Sequence, residues 1–283
     1  MPVYAICPFT VVPIRTSANH KSEMGSQLLF GEMVEVLETK GRQWTKVRCL
    51  SDEYIGWTPS SQLRDLSPKE APRFREHYAY SLDLFHTLMG IDEALPITLG
   101  SRLPNFDGMR FSLGTQDFTF SGQAVFPEDI KSGPAFVIKI ARKLINAPFL
   151  WGGRTVFGID SPALVQLAYQ IAGQELPRTA ELQVNRGESI DFVEQAMPGD
   201  IAFFENTSGK INHSGILLPD SKIIHVHERV RIDAIDHYGI FNYQEGKYTH
   251  RLRLVKRIFS PDSSLPPVVL AKQAKAVNQK ALF

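Results

Sequence analysis

The sequence is poor in cysteine, in excess charge and in long apolar runs, and each shortage removes a class of function. Only Cys7 and Cys49 are present, without a spacing motif. Neither a disulfide framework nor a cysteine-ligated metal is expected, and both thiols read as small buried hydrophobes. Lys and Arg total 31 against 30 Asp and Glu, a net charge of +1, so no basic field is available to hold a nucleic-acid backbone. No window approaches the roughly eighteen apolar residues of a membrane span. The opening "MPVYAICPFTVVPIRTSANH" lacks the basic and apolar regions of a secretory signal, and Pro2, Pro8 and Pro13 interrupt its apolar residues. With Met1 as the natural start, a cytoplasmic location is expected. The remainder is ordinary for a folded chain: 43% hydrophobic and 22% charged over 283 residues, enough for two or three domains.

Short β-branched and aromatic runs broken by Gly, Pro, Ser and Asp fill residues 1–66. "VVPIR", "QLLFGEMVEVLET", "WTKVRCL" and "YIGWTPSSQL" recur at the spacing of a small SH3-like barrel. "SPKEAPRFRE", Ser67 to Glu76, reads as a polar, proline-containing linker. A second β-rich module is expected over 77–128, where "ITLGSRLP" echoes "LLFGEMVE" of the first. The character then changes over 129–260. "PAFVIKIARKLINA" places apolar residues at helical spacing with Lys139, Arg142 and Lys143 on the other side, and "SPALVQLAYQIAG" is a second helix stopped by Gly173. Strands joined by tight turns follow, "GDIAFFEN", "HSGILLPDSKIIHVHE" and "RVRIDAI". Helices first and an antiparallel sheet afterwards make an α+β domain. Residues 261–283 are rich in proline, lysine and alanine and read as a tail.

Ser161 follows Asp160 and precedes Pro162 and an apolar helix. A capped helix start accounts for this completely, since serine caps well and proline suits the first helical position. The alternative is a nucleophile at a helix mouth, where the macrodipole favours an anion and a backbone N–H faces a developing oxyanion. Such a nucleophile needs a base and a group to orient it. His213 and His225 lie on consecutive strands about one tight turn, where antiparallel pairing brings them to one face. His227 shares that face by its spacing, so His213, His225 and His227 also make a conceivable zinc set. No carboxylate stands at a convincing second position behind them, and the expectation is no metal and no cofactor.

"WGGRTVFGID", "LVQLAYQ", "LPRTAELQ", "GDIAFF", "HSGILL" and "KIIHVHERVRID", in this order, resemble the NlpC-type papain-like cysteine peptidases, which cleave peptidoglycan stem peptides. The β modules ahead are similar to the tandem bacterial SH3-like domains of one subgroup, γ-D-glutamyl-L-diamino acid endopeptidases of murein-peptide recycling. The resemblance implies two small SH3-like β-barrels followed by an α+β papain-like domain. It places the nucleophile at Ser161, the base at His213 and the third polar residue at His225. Asp160 would hold the free amino group of the substrate's L-alanine. Phe149, Trp151 and Arg178 fall within the same motifs as substrate-binding candidates, although Arg178 also reads as a salt-bridged surface residue. Glu53 and Tyr54 are candidates lent by the first module, against a solvated turn.

The family reads roughly "YLWGG…GxDCSGLVQ". This chain has Phe149 for the tyrosine, Ser161 for the cysteine, Pro162 for the serine and Ala163 for the glycine. A cysteine thiol, with its pKa of about 8.5, is pulled down to a thiolate by histidine and a helix N-terminus. A serine hydroxyl is far less acidic and needs base-assisted attack. The resulting expectation is a divergent, inactive or severely weakened relative that binds a murein-type peptide, L-Ala-γ-D-Glu-L-diamino acid. One alternative is an active hydrolase using Ser161, His213 and His225. Another is an engineered Cys-to-Ser form of an active peptidase, which leaves Phe149, Pro162 and Ala163 unexplained. The third is an interaction scaffold working through the SH3-like modules.

Overall fold

The computed structural model describes residues 2–191 and 195–260; the tail expected over 261–283 lies outside them, as does Met1. The chain divides into two compact units. One comprises Met1–Lys131, Ala147–Asp160 and Tyr169–Pro177; the other comprises Ser132–Asn146, Ser161–Ala168 and Arg178–Phe283.

The first unit opens with β1 (Val3–Ile6), β2 (Val11–Arg15), β3 (Met24–Leu29), β4 (Met33–Lys40), β5 (Trp44–Cys49), β6 (Ile55–Pro59) and β7 (Arg64–Leu66). They form one antiparallel sheet in the order β3-β2-β6-β5-β4-β1-β7, the SH3-like module that the turn spacing implies. Alternation along β2 and β5 sends Val12, Ile14 and Val47 inward with Ala5, Leu28 and Val34. Cys7 and Cys49 are free and buried in that core, and burial pushes both thiols up, away from reactivity.

The segment read as a linker is α1 (Glu70–Glu76) instead. Its start is a reciprocal cap: Ser67 N–H donates to Glu70 Oε2 at 2.9 Å and Glu70 N–H to Ser67 Oγ at 3.3 Å. "SPKE" is the Ser-x-x-Glu spacing of a capping box, whose signal the proline obscures. Ala71 and Phe74 face inward and join Ile6, Phe30, Leu88 and Phe111 in a core common to both β modules. The second module contains β8 (Tyr78–Ser81), β9 (Phe85–Met89), β10 (Ala94–Thr98), β11 (Arg102–Pro104), β12 (Arg110–Leu113), β13 (Gln116–Thr119) and β14 (Ala124–Val125), split between a four-stranded and a three-stranded sheet.

The short hairpin β15 (Arg154–Thr155) and β16 (Gly158–Ile159) belongs to the same unit. Arg154 is 2% exposed and forks onto Glu32, Nη1 to Oε2 at 2.7 Å and Nη2 to Oε1 at 3.0 Å. It also donates to Gln27 O at 2.7 Å, while its own N–H donates to Gln27 Oε1 at 2.8 Å. The hairpin is thus pinned to the turn between β3 and β4 by a buried charge pair, and to β3 itself through Gln27.

The second unit holds α2 (Pro134–Lys143), with Lys139 and Arg142 outward, and most of α3 (Ser161–Ile171). It continues with α4 (Ala180–Gln183), β17 (Glu188–Ile190), β18 (Ile201–Glu205), β19 (Ile211–Leu218), β20 (Lys222–His227), β21 (Arg229–Ile235), β22 (Gly239–Asn242) and β23 (Lys247–Arg257). The order is β17-β23-β18-β19-β20-β21-β22, and β22 pairs with β23 as well, so the sheet closes on itself. Strand β23, 11 residues long, makes this possible: one stretch pairs with β18 and another with β22. The interior carries Ala202, Phe204, Leu217, Ile223, Ile240 and Val255. Helices followed by an antiparallel sheet is the α+β order expected. Among the described residues no helix is long and apolar enough to cross a membrane.

Removing Arg154 leaves a buried carboxylate without its partner, so Arg154→Ala is expected to cost about 3–5 kcal/mol in denaturant unfolding. Burial opposes the charged form of Glu32, but the charge and hydrogen bonds of Arg154, with the Arg102 charge, outweigh it and lower the Glu32 pKa. Its stabilisation is present above the unfolded carboxyl value near ~4.3 and is lost as pH falls through the lower folded value. In R154A this acid-side loss is expected to shrink; an unchanged pH profile would speak against the pair.

Candidate functional site

Ser161 is 4% exposed at the first position of α3. Its Oγ accepts from Ser214 N–H at 3.5 Å, a long contact. Gln183, fully buried on α4, ties the same elements together. Its Nε2 donates to Pro162 O at 2.8 Å, and its Oε1 accepts from Ser214 Oγ at 3.2 Å. The helix mouth is therefore fastened to β19 through one amide side chain.

His213 lies on β19 and His225 on β20, at 7% and 0% exposure, and His213 Nε2 meets His225 Nδ1 at 3.0 Å. Gly215 leaves room for this meeting: a Cβ there would stand 3.0 Å from His225 Cβ and 2.7 Å from Ile223 Cδ1. His225 Nε2 lies 2.9 Å from Asp233 Oδ2. A carboxylate only accepts, so the proton sits on His225 Nε2 and leaves Nδ1 as an acceptor. His213 Nε2–H must then donate to it, and the lone pair of His213 falls on Nδ1, the nitrogen free to take a proton. Arg231 pairs with the same carboxylate: its Nη2 donates to Oδ1 at 2.9 Å, and its Nε lies 2.7 Å from Oδ2, the oxygen that also meets His225.

Burial opposes the Asp233 charge, but hydrogen bonds from His225 and Arg231 outweigh it and lower the Asp233 pKa. Burial moves His225 the opposite way from Asp233, and burial wins, leaving its pKa lowered. Burial and the neighbouring imidazoles put His213 well below the usual histidine value. Both rings are neutral near pH 7.

Two readings of the sequence need correcting here. A carboxylate does stand behind the histidines. Asp233 lies opposite Ile223 in the β20–β21 register, one diagonal step from His225. The third imidazole of the cluster is not His227, whose Nε2 faces Glu245 at 3.3 Å. It is His250 on β23, stacked on His213 with ring centroids 4.0 Å apart. Its strand is brought here by pairing with β18, the neighbour of β19, and no local spacing signals it. Arg178, 2% exposed, is buried rather than a surface residue.

The remaining candidates lie in the first unit. Asp160, 6% exposed, accepts from Gly152 N–H at 2.9 Å through Oδ2 and so closes the loop ahead of the helix. Gly152 has φ +75°, and a Cβ there would stand 2.1 Å from Met24 O. Trp151 is 60% exposed and donates from Nε1 to Glu23 Oε1 at 2.6 Å. Phe149 is also exposed and bridges to Ile159. Glu53 is an exposed residue with φ 59° that faces Arg48 at 3.7 Å. Tyr54 is half-buried against the first module's core, its hydroxyl over Gly25.

Asp233→Asn is expected to invert the relay. The Asn carbonyl turns to Arg231 and its amide donates to His225 Nε2, which moves the His213 proton to Nδ1. Long-range ¹H–¹⁵N spectra of the imidazoles read this directly; a His213 Nδ1 that stays unprotonated in the variant would exclude the relay.

Residues 146–252 match the NlpC/P60 family, and residues 14–63 match the bacterial dipeptidyl-peptidase Sh3 domain. A gamma-D-glutamyl-L-lysine dipeptidyl-peptidase of Bacillus cereus (strain ATCC 10987 / NRS 248) is 25% identical over 235 residues, 74% of this chain and 68% of that protein. Its namesake in Bacillus subtilis (strain 168) is 25% identical over 259 residues, covering 83% and 81%. An NlpC/P60 family protein structure from Bacillus cereus ATCC 10987 superposes with a TM-score of 0.76 at 20% identity, over 90% of this chain and 99% of that one. That likeness is one of fold.

Proposed function

Because the chain carries an NlpC/P60 domain and a bacterial dipeptidyl-peptidase SH3 domain, and so stands among cell-wall peptide hydrolases, we propose that it binds a peptidoglycan-type peptide and hydrolyses it weakly or not at all. The peptide class is L-Ala-γ-D-Glu-L-diamino acid, with Asp160 receiving the free amino group. Ser161, His213 and His225 face the peptide bond, and Phe149, Trp151, Arg178, Glu53 and Tyr54 are the further candidates for binding. On this reading the functional divisions run 1–66, 77–128 and 129–260.

The observation that carries the proposal is the hydroxyl at the helix mouth. Ser161 Oγ rests against the Ser214 amide, and among the described residues no hydrogen bond joins it to either imidazole. A thiol in this place would ionise with help from the helix N-terminus and a histidine. A hydroxyl stays protonated and must give up its proton during attack, which requires a base aligned on it beforehand.

A second reading is favoured by the Asp233–His225–His213 relay, which leaves a basic nitrogen on His213. In that case Ser161 is the nucleophile of a working serine hydrolase.

Calorimetry with L-Ala-γ-D-Glu-L-diamino-acid peptides separates the two. Saturable binding without dipeptide release is expected of the unaltered chain. Ser161→Cys is expected to release dipeptide, because the thiol regains an ionisable nucleophile in the same setting. Turnover by the unaltered chain that disappears in Ser161→Ala would replace the first reading by the second, and absence of peptide binding would remove both.

A further inference from the structure

The histidine cluster extends beyond what peptide chemistry uses. His213, His225 and His250 come from three different strands, and each offers one ring nitrogen such that all three lie within 4.8 Å of one another. His213 Nε2 and His225 Nδ1 are 3.0 Å apart. Zinc–imidazole bonds of about 2.0–2.1 Å in a tetrahedral site set ligand nitrogens roughly 3.3 Å apart. That pair already stands near the required separation, and closing the farthest pair takes a shift of about 1.5 Å.

In two of the three histidines the other ring nitrogen is held outward, as metal-ligating imidazoles require. His225 Nε2 is fixed by Asp233 at 2.9 Å. His250 Nδ1 lies 2.9 Å from Thr249 Oγ1. The Thr249 hydroxyl spends its proton on Ile240 O at 3.5 Å, so it accepts from His250 Nδ1–H. The lone pair of His250 is therefore on Nε2. His250 is only half-buried, which gives an ion access from its side.

We propose that His213, His225 and His250 form a site for a divalent transition metal of the zinc class, with the fourth position left to water or a ligand atom. The metal takes the place of the proton shared between His213 Nε2 and His225 Nδ1. That proton moves to His213 Nδ1, so metal binding and use of His213 as a base compete. The metal site does not rest on Ser161 attacking a peptide, because none of its ligands is Ser161; where His213 serves as that base, the metal displaces this use.

The test uses the full chain, stripped with chelator and titrated with Co²⁺ while its visible d–d absorption is followed. One equivalent with the intense spectrum of a four-coordinate site is expected, displaced by Zn²⁺. Asp233→Asn is expected to weaken Co²⁺ binding about 10–100-fold, and His250→Gln at least as much. His227→Gln is expected to bind as the unaltered chain does. Circular dichroism checks that each variant folds. Without any variant, Zn²⁺ should shift the ring signals of three of the eight histidines, those of His213, His225 and His250. Absence of saturable Co²⁺ binding would overturn the site. So would binding lost in His227→Gln and kept in His250→Gln, or Zn²⁺ shifts confined to other histidines.

Discussion

A carboxylate accepts hydrogen bonds and does not donate them, and at Asp233 that rule orders the protons of a whole row of side chains. His225 must carry its hydrogen toward Asp233, His213 must donate to His225, and the lone pair is left on His213 Nδ1. Arg231 pairs with both carboxylate oxygens and helps keep the carboxylate charged. The basicity of His213 follows from this row more than from that imidazole alone. The Ser161 hydroxyl at the helix mouth rests against the Ser214 amide and is far less acidic than a thiol.

The row lies on three neighbouring strands, β19, β20 and β21, and the curling of the sheet into a closed ring adds His250 to it. Strand β23 pairs with β18 along one stretch and with β22 along another, and bulges at Phe203/Phe204 and Ile240/Phe241 let it turn between them. Closure leaves no free edge on the ring and brings His250 onto His213 from the far end of the domain. A site assembled from β19, β20, β21 and β23 is positioned by ladder hydrogen bonds rather than by loops. That rigidity suits either a proton relay or a metal, and both draw on the same nitrogens.

In the first unit, a buried ion pair does comparable work. Arg154 and Glu32 are nearly solvent-free, and Gln27 and Gln170 complete the guanidinium's partners. Such a pair contributes little net stability but strongly penalises misplacement of either partner. It holds the hairpin that leads to Asp160 against the first module. Gly152 adds to this, since its left-handed backbone and contact with Met24 O exclude any side chain.

Local pattern determined a good deal of this protein. Alternation and turn residues give the β-rich first half, helical spacing gives α2 and α3, and the motif order around "GIDSPALVQ" and "HSGILL" points to the NlpC/P60 domain. The helix inside "SPKEAPRFRE" was written there too, as Ser67 and Glu70 at capping-box spacing. Tertiary structure alone decided which histidine joins His213 and His225, which carboxylate orients them, and how Gln183 fastens the helix mouth. These depend on strand register and barrel closure, which pair residues far apart in the chain. His227, two residues from His225, satisfies every local rule and still faces Glu245, whereas His250 meets none of them and stacks on His213.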